Sequence, residues 1–142
     1  MKLSGNTIFI TGGSSGIGKS MAKEFLELGN EVIICSRNED QLKKVVEECP
    51  GLHYIRCDIN SDADRQEAFK HIKSKFPKMN VLINNAVVQS DYDLKAGEEG
   101  LKNMDYELSL TLNAPIHLTG LFIPHLLQAE DPAIINITKN TC

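Results

Sequence analysis

One stretch constrains this chain more than any other: Thr7-Ile-Phe-Ile-Thr-Gly-Gly-Ser-Ser-Gly-Ile-Gly-Lys-Ser20. Its short apolar run, Ile8 to Ile10, reads as a buried strand. Glycines follow at 12, 13, 16 and 18, and then Ile17, Met21, Phe25 and Leu28 recur at helical spacing. The product is a strand, a tight turn and a helix N-terminus, where unpaired N–H groups and the helix dipole favour a phosphate. Glycines let such a turn take positive φ and approach a pyrophosphate with no Cβ between. The stretch says nucleotide without saying which.

Two ligand patterns share these residues. Gly13-Ser14-Ser15-Gly16-Ile17-Gly18-Lys19-Ser20 fits G-x-x-x-x-G-K-[ST] letter for letter, the loop of ATP- and GTP-binding proteins. There Lys19 would reach the terminal phosphates and Ser20 would hold magnesium. Counted from Thr11, the same stretch gives Gly12-x-x-x-Gly16-x-Gly18, a variant of the dinucleotide spacing. A glycine-rich turn with no ligand is the third reading. A P-loop protein also needs an apolar strand ending in aspartate to order its magnesium. The expected strands end at Ser36, Cys57-Asp58, Asn84-Asn85 and Thr138. Only Asp58 offers a carboxylate, and its strand, His53-Tyr54-Ile55-Arg56-Cys57, is not uniformly apolar.

Strands are expected at 7–11, 31–36, 53–57, 81–84 and 133–138. Helices are expected at about 16–28, 39–49, from an N-cap at Ser61 to just before Pro77, and from Leu101 or Met104 to Leu127. The last follows a polar segment, Gln89 to Gly100. Strict alternation predicts an α/β fold: a Rossmann-type doubly wound parallel sheet of order 3-2-1-4-5, one unit over residues 1–142. Its ligand crevice would open at the carboxyl ends of strands one and four.

The glycine spacing after Thr11, then Asp58-Ile59, Asn84-Asn85-Ala86, Asn113 and Asn136-Ile137-Thr138, resembles the successive landmarks of the short-chain dehydrogenase/reductase family. The resemblance covers the whole chain, as the N-terminal half or slightly more of such a protein, and it outweighs the P-loop pattern. It implies a nicotinamide dinucleotide gripped by Gly12, Gly13, Ser14, Ser15, Gly16, Ile17 and Gly18. It implies Asp58 accepting from the adenine amino group, Ile59 near the ring, and Asn85 and Ala86 along the adenosine ribose. It gives Asn113 a catalytic part, holding a proton-relay water in a helix that Pro115 distorts in any case. The bland alternatives are a turn cap for Asp58 and a core hydrogen bonder for Asn113. Val87 stands where the family's N-N-A-G has glycine, which puts bulk beside the cofactor. NAD-specific Rossmann sites carry an acidic residue at the end of strand two. Here Ser36 and Arg37 stand there, and a guanidinium welcomes a 2′-phosphate, so NADP is expected ahead of NAD. The alternative for Arg37 is an ordinary solvated loop cation.

The family's chemistry runs through a tyrosine with a lysine four residues later and a serine after strand five. Here Asp58, Ala96 and Leu110 stand four places after the three tyrosines, and Lys139 follows Thr138. The expectation is therefore the NAD(P)-binding part of an oxidoreductase that acts on a small carbonyl/alcohol pair in full-length form. Truncated after strand five, it would give no useful turnover alone. The alternatives are a non-catalytic dinucleotide-binding module and a P-loop ATP/GTP-binding protein. Strand five would be an open apolar edge. The long helix is read with two apolar stripes, one of Leu108, Leu112, Thr119, Phe122 and Leu126, the other of Leu110, Ala114, His117, Leu118 and Leu121. One should face the sheet, and self-association is expected through the edge, the helix or both. His117 and His125 are read as surface or interface residues.

With 42% hydrophobic and 24% charged residues the chain can bury a core, and its net charge of −4 argues against nucleic acid as a partner. No signal segment, apolar span or lipidation motif is seen, so a cytoplasmic protein with no membrane partner is expected. Cys35, Cys49, Cys57 and Cys142 show neither C-x-x-C nor zinc-ligand spacing and read as reduced thiols, Cys142 an exposed one. The opening Met-Lys-Leu-Ser-Gly-Asn-Thr and the Ala-Pro-Ile-His-Leu-Thr helix resemble a bacterial subgroup linked with D-alanine transfer to teichoic acids. No expectation is built on that link.

Overall fold

The computed structural model describes residues 1–88 and 93–138. Lys139, Cys142 and the start of the polar segment, residues 89–92, lie outside the described residues. Five strands, β1 (Thr7–Thr11), β2 (Glu31–Ser36), β3 (His53–Arg56), β4 (Val81–Asn84) and β5 (Ala133–Asn136), form one parallel sheet of order β3-β2-β1-β4-β5. This is the expected Rossmann order. All four pairings are parallel, and the winding reverses between β1 and β4. β1 lies in the middle and is buried at every position, as its continuous apolar run requires.

Successive strand residues point to opposite faces, so the sheet carries two cores. Ile8, Ile10, Val32 and Ile34 pack with Ala22 of helix α1 (Gly16–Glu27) and with Leu42 and Val45 of α2 (Glu39–Glu48). Phe9, Ile33 and Leu82 pack with Ala68 and Ile72 of α3 (Asp62–Lys75) and with the helical segment before β5. Phe122 in that segment meets Phe9 and Phe69 with ring centroids 5.7 and 5.1 Å apart. α2 and α3 begin on side-chain caps. Asn38 accepts from Gln41 N at 3.1 Å, and Ser61, the expected cap, accepts from Asp64 N at 3.2 Å. Ser61→Ala is expected to lower stability by about 1 kcal/mol in urea denaturation, the usual loss of one such cap.

The helical segment departs from expectation. It starts at Glu98 and is not one regular helix: α4 (Glu98–Leu108) runs into a π-helical turn, Ser109–Asn113, and then into α5 (Ala114–Leu126). Gly97, at φ +63°, turns the chain into α4, whose first turn carries Glu98 and Glu99 on the positive end of the dipole. The break sits at Asn113 and Pro115, where distortion was expected, and Ala114 N donates to Ser109 O, five residues back. The wider turn also changes which residues face inward. Neither expected stripe is right: Leu110, Ala114, Leu118, Phe122 and Leu126 are buried. That set joins three members of one expected stripe to two of the other, because the π turn takes up an extra residue and shifts the phase. Leu108, Leu112, Ile116, Ile123 and Leu127 are left on the outer side, exposed.

β3 and β5 also end sooner than expected, though Cys57 N still donates to Ser36 O and Ile137 N to Asn84 O. β5 is an edge of the described sheet, with Ile134 exposed. At the opposite end from the glycine turn, three buried asparagines knot the strand starts together. Asn6 N and Nδ2 donate to Asn30 Oδ1, Asn80 Nδ2 donates to Asn6 Oδ1, and Thr7 N donates to Asn80 Oδ1, all between 2.8 and 3.2 Å. Among the described residues no helix is long and apolar enough to cross a membrane.

Candidate functional site

A cleft of about 610 Å³ opens at the carboxyl ends of the strands, where the winding reverses. One wall is the glycine turn. Gly12 N and Gly13 N both donate to Cys35 O, at 2.9 and 3.1 Å, so the turn hangs from β2. The exit of β4 is clamped against it. Thr11 Oγ1 accepts from Asn85 N and Ala86 N, each at 3.0 Å, while Asn85 Nδ2 donates to Thr11 O at 3.0 Å and Gly12 O at 3.2 Å. Two glycines make this approach feasible. A Cβ on Gly12 would lie 2.8 Å from Ala86 Cα, and one on Gly18 would lie 2.2 Å from Gly12 O.

The N-terminus of α1 faces this cleft without a side-chain partner: Ser15 caps nothing, and no acidic residue stands in the first turn. α2 and α3 have both a capping side chain and acidic residues there. Free N–H groups, no competing carboxylate and a backbone cleared of Cβ atoms are what a pyrophosphate requires. The P-loop roles have no such support. Lys19 is ion-paired to Glu48 of α2 and does not line the cleft, and Ser20 Oγ donates to Gly16 O at 3.2 Å.

Gly12, Ser14, Ser15, Gly16, Ile17, Gly18, Arg37, Asp58, Ile59, Asn85 and Ala86 are all brought to the cleft. Gly13 is not. It packs on β2, where a Cβ would come within 2.5 Å of Ile34 Cβ. Asn113 does not line it either and is exposed at the end of the π turn. Asp58 lines the cleft, and its Oδ1 accepts from Asn60 N at 3.0 Å, capping a tight turn as its alternative reading had it. The carbonyl of buried Ile59 accepts from Arg65 Nη1 at 2.6 Å, and Ser109 Oγ donates to Asn60 Oδ1 at 3.2 Å, tying the π turn to the same loop. Asn85 spends its side chain on the clamp. Val87 lines the cleft, exposed.

Several residues here were not anticipated. Thr11 was read only as the position before the glycines, yet its hydroxyl serves two backbone donors. Leu110 lines the cleft from the π turn. One turn earlier on α4, Tyr106 OH accepts from Arg37 Nη1 at 2.6 Å. The tyrosine-to-leucine spacing of four was the available signal, since such residues share a helix face. Cys35 and Cys57 are buried free thiols beside the cleft. The hydrogen bond with Cys57 and burial push the Cys35 thiol well above its ordinary range, which keeps it protonated. His117 is exposed as expected, but His125 is half-buried, with Nε2 3.0 Å from Met79 O.

A protein-family model described as short chain dehydrogenase matches residues 6–142. The chain is 43% identical over 139 residues to "Uncharacterized oxidoreductase DltE" of Bacillus subtilis, covering 98% of this chain and 55% of that protein. Among solved structures it is similar to a metagenomic short-chain oxidoreductase in complex with NADP, with TM-score 0.86 and 28% identity over 99% of this chain and 66% of the other. It is also similar to a 3-ketoacyl-(acyl-carrier-protein) reductase from Brucella melitensis complexed with NADH, with TM-score 0.84 and 28% identity, covering 95% and 57%. The chain thus spans little more than half the length of the first of these relatives. A Rossmann sheet wound in this order, a glycine turn clamped by Thr11 and Asn85, and a sequence match running almost from end to end agree: this chain belongs to the short-chain dehydrogenase family.

Proposed function

We propose that residues 1–142 are the dinucleotide-holding part of an oxidoreductase, with NADP preferred over NAD. The whole protein would exchange hydride between the nicotinamide and a small carbonyl/alcohol pair. The observation that carries this reading is the cleft itself, with an unblocked helix N-terminus at one end and Arg37, not a carboxylate, after β2 at the other. In this reading Gly12, Ser14, Ser15, Gly16, Ile17 and Gly18 receive the pyrophosphate. Arg37 receives the 2′-phosphate, Asp58 and Ile59 the adenine, and Asn85 and Ala86 flank the ribose. Bound there, the nicotinamide supplies the hydride chemistry. Asn113 would act only as a water-holding residue next to groups these 142 residues do not supply. With no tyrosine followed by lysine at the fourth place, the chain alone is proposed to bind without turning over.

Thermal melting in the presence of NADPH, NADH or ATP–Mg²⁺ tests the reading. A ligand at about 100 times its Kd adds about 2.7 kcal/mol, and at this size each kcal/mol moves Tm by roughly 2–4 °C. NADPH is expected to give the largest rise. A rise with ATP–Mg²⁺ alone would overturn the dinucleotide reading, and clear NADPH oxidation by the chain over a carbonyl panel would overturn the claim of no turnover. The outer side of α4 and α5, with Leu108, Leu112, Ile116, Ile123 and Leu127 exposed, supports self-association. A strictly monomeric mass in sedimentation at micromolar concentration would count against it.

A further inference from the structure

We propose that Tyr106 sets the dinucleotide preference of the cleft, holding the Arg37 guanidinium at its rim and donating its own phenolic proton to a 2′-phosphate. The proposal rests on the NADP reading above and assigns a second residue to that end of the site. Arg37 and Tyr106 stand 69 positions apart and meet at 2.6 Å, with Arg37 lining the cleft and Tyr106 one turn before the lining residue Leu110. A guanidinium has donors and no acceptor, so the phenolic oxygen accepts this bond and its O–H stays available for a third group. Arg37 keeps further N–H donors beside that O–H. None of the ion pairs among the described residues involves Arg37.

The surroundings select the same ligand. Ser14, Ser36, Asn38 and Gln41 give this end of the cleft hydroxyls and amides, and Asp58 is the one carboxylate among the lining residues. Its Oδ1 is engaged by Asn60 N. A cation without an ion pair among the described residues, beside a phenolic donor and with neutral polar groups around, matches a phosphate monoester dianion. A ribose hydroxyl has far less to offer such a pair. The fold also fixes Tyr106 in place. Leu110, on the same helix face, lines the cleft, and the Ser109–Asn60 hydrogen bond holds the end of α4 against the loop carrying Ile59.

The test measures the affinities of the full chain for NADP⁺ and NAD⁺ by calorimetry, in the wild type, Tyr106→Phe and Arg37→Gln. Tyr106→Phe keeps the ring and removes only the hydroxyl. It is expected to weaken NADP⁺ by about tenfold, as for loss of a charge-assisted hydrogen bond, while NAD⁺ stays within about twofold. A Tyr106→Phe chain that keeps its NADP⁺/NAD⁺ ratio while Arg37→Gln loses it overturns the role of Tyr106 and leaves the NADP reading intact. Equal weakening of both dinucleotides by Tyr106→Phe makes the residue merely structural and also overturns the proposal. If neither variant changes the ratio, or the wild type binds neither dinucleotide, the proposal and the NADP reading fall together.

Discussion

Gly18→Ala is expected to abolish dinucleotide binding and to lower stability by about 3 kcal/mol or more, at the top of the range for overpacking. The added Cβ would lie 2.2 Å from Gly12 O and 2.4 Å from Asn85 Nδ2. Neither atom is free to retreat, because the two are hydrogen-bonded to each other and Asn85 is also fastened to Thr11. Relief therefore means moving α1 away from the sheet or opening the clamp, and each displaces the N–H groups proposed to receive the pyrophosphate. Gly16→Ala is the contrast. Its Cβ would meet nothing within 4 Å, and the strain is confined to a φ of +53°, about 1–2 kcal/mol for an L residue. Urea denaturation and NADPH titration of both variants check the pair. A Gly18→Ala protein of wild-type stability would mean that the turn and the clamp are not locked as described.

Thr11→Val is expected to lower stability by about 2–4 kcal/mol while leaving side-chain volume nearly unchanged. The Thr11 hydroxyl is the acceptor for two backbone donors, Asn85 N and Ala86 N, in a buried corner. Valine offers neither an acceptor, and each orphaned donor costs about 1–3 kcal/mol. Thr11→Ser, which keeps the oxygen, is expected to stay within about 1 kcal/mol of the wild type. A Thr11→Val protein as stable in urea denaturation as Thr11→Ser would mean that the two hydrogen bonds do not hold this corner as described. The same substitution should weaken NADPH binding, since Ala86 and the glycine turn line one cleft.

The sheet order and the place of the cleft were legible in the sequence because they rest on local signals: apolar runs, alternation, and a glycine turn directly after β1. What escaped depended on atoms far apart in the chain. Gly12 and Gly13 are the same letter side by side, yet one faces Ala86 in the cleft and the other packs on Ile34 behind it. Nothing in the sequence separates them before the turn is built. The break at Asn113 and Pro115 was legible, but its form was not. A regular helical period assigned Phe122 and Leu126 to the stripe opposite Leu110, and a single π turn brought them together. Tyr106 escaped for a third reason, because its spacing to Leu110 gives a shared helix face and no partner. An exposed tyrosine on a polar helix says nothing until the loop after β2 brings Arg37 to it.

The two ends of the sheet are held by different chemistry. At the glycine end, shape decides, and one methyl group is enough to spoil it. At the other end Asn6, Asn30 and Asn80 are joined amide to amide, and an amide is uncharged in acid and in base alike. Those bonds therefore need no counterion, no particular protonation state and no low-salt medium, so the sheet keeps a fixed anchor there while its cleft end answers to whatever enters it.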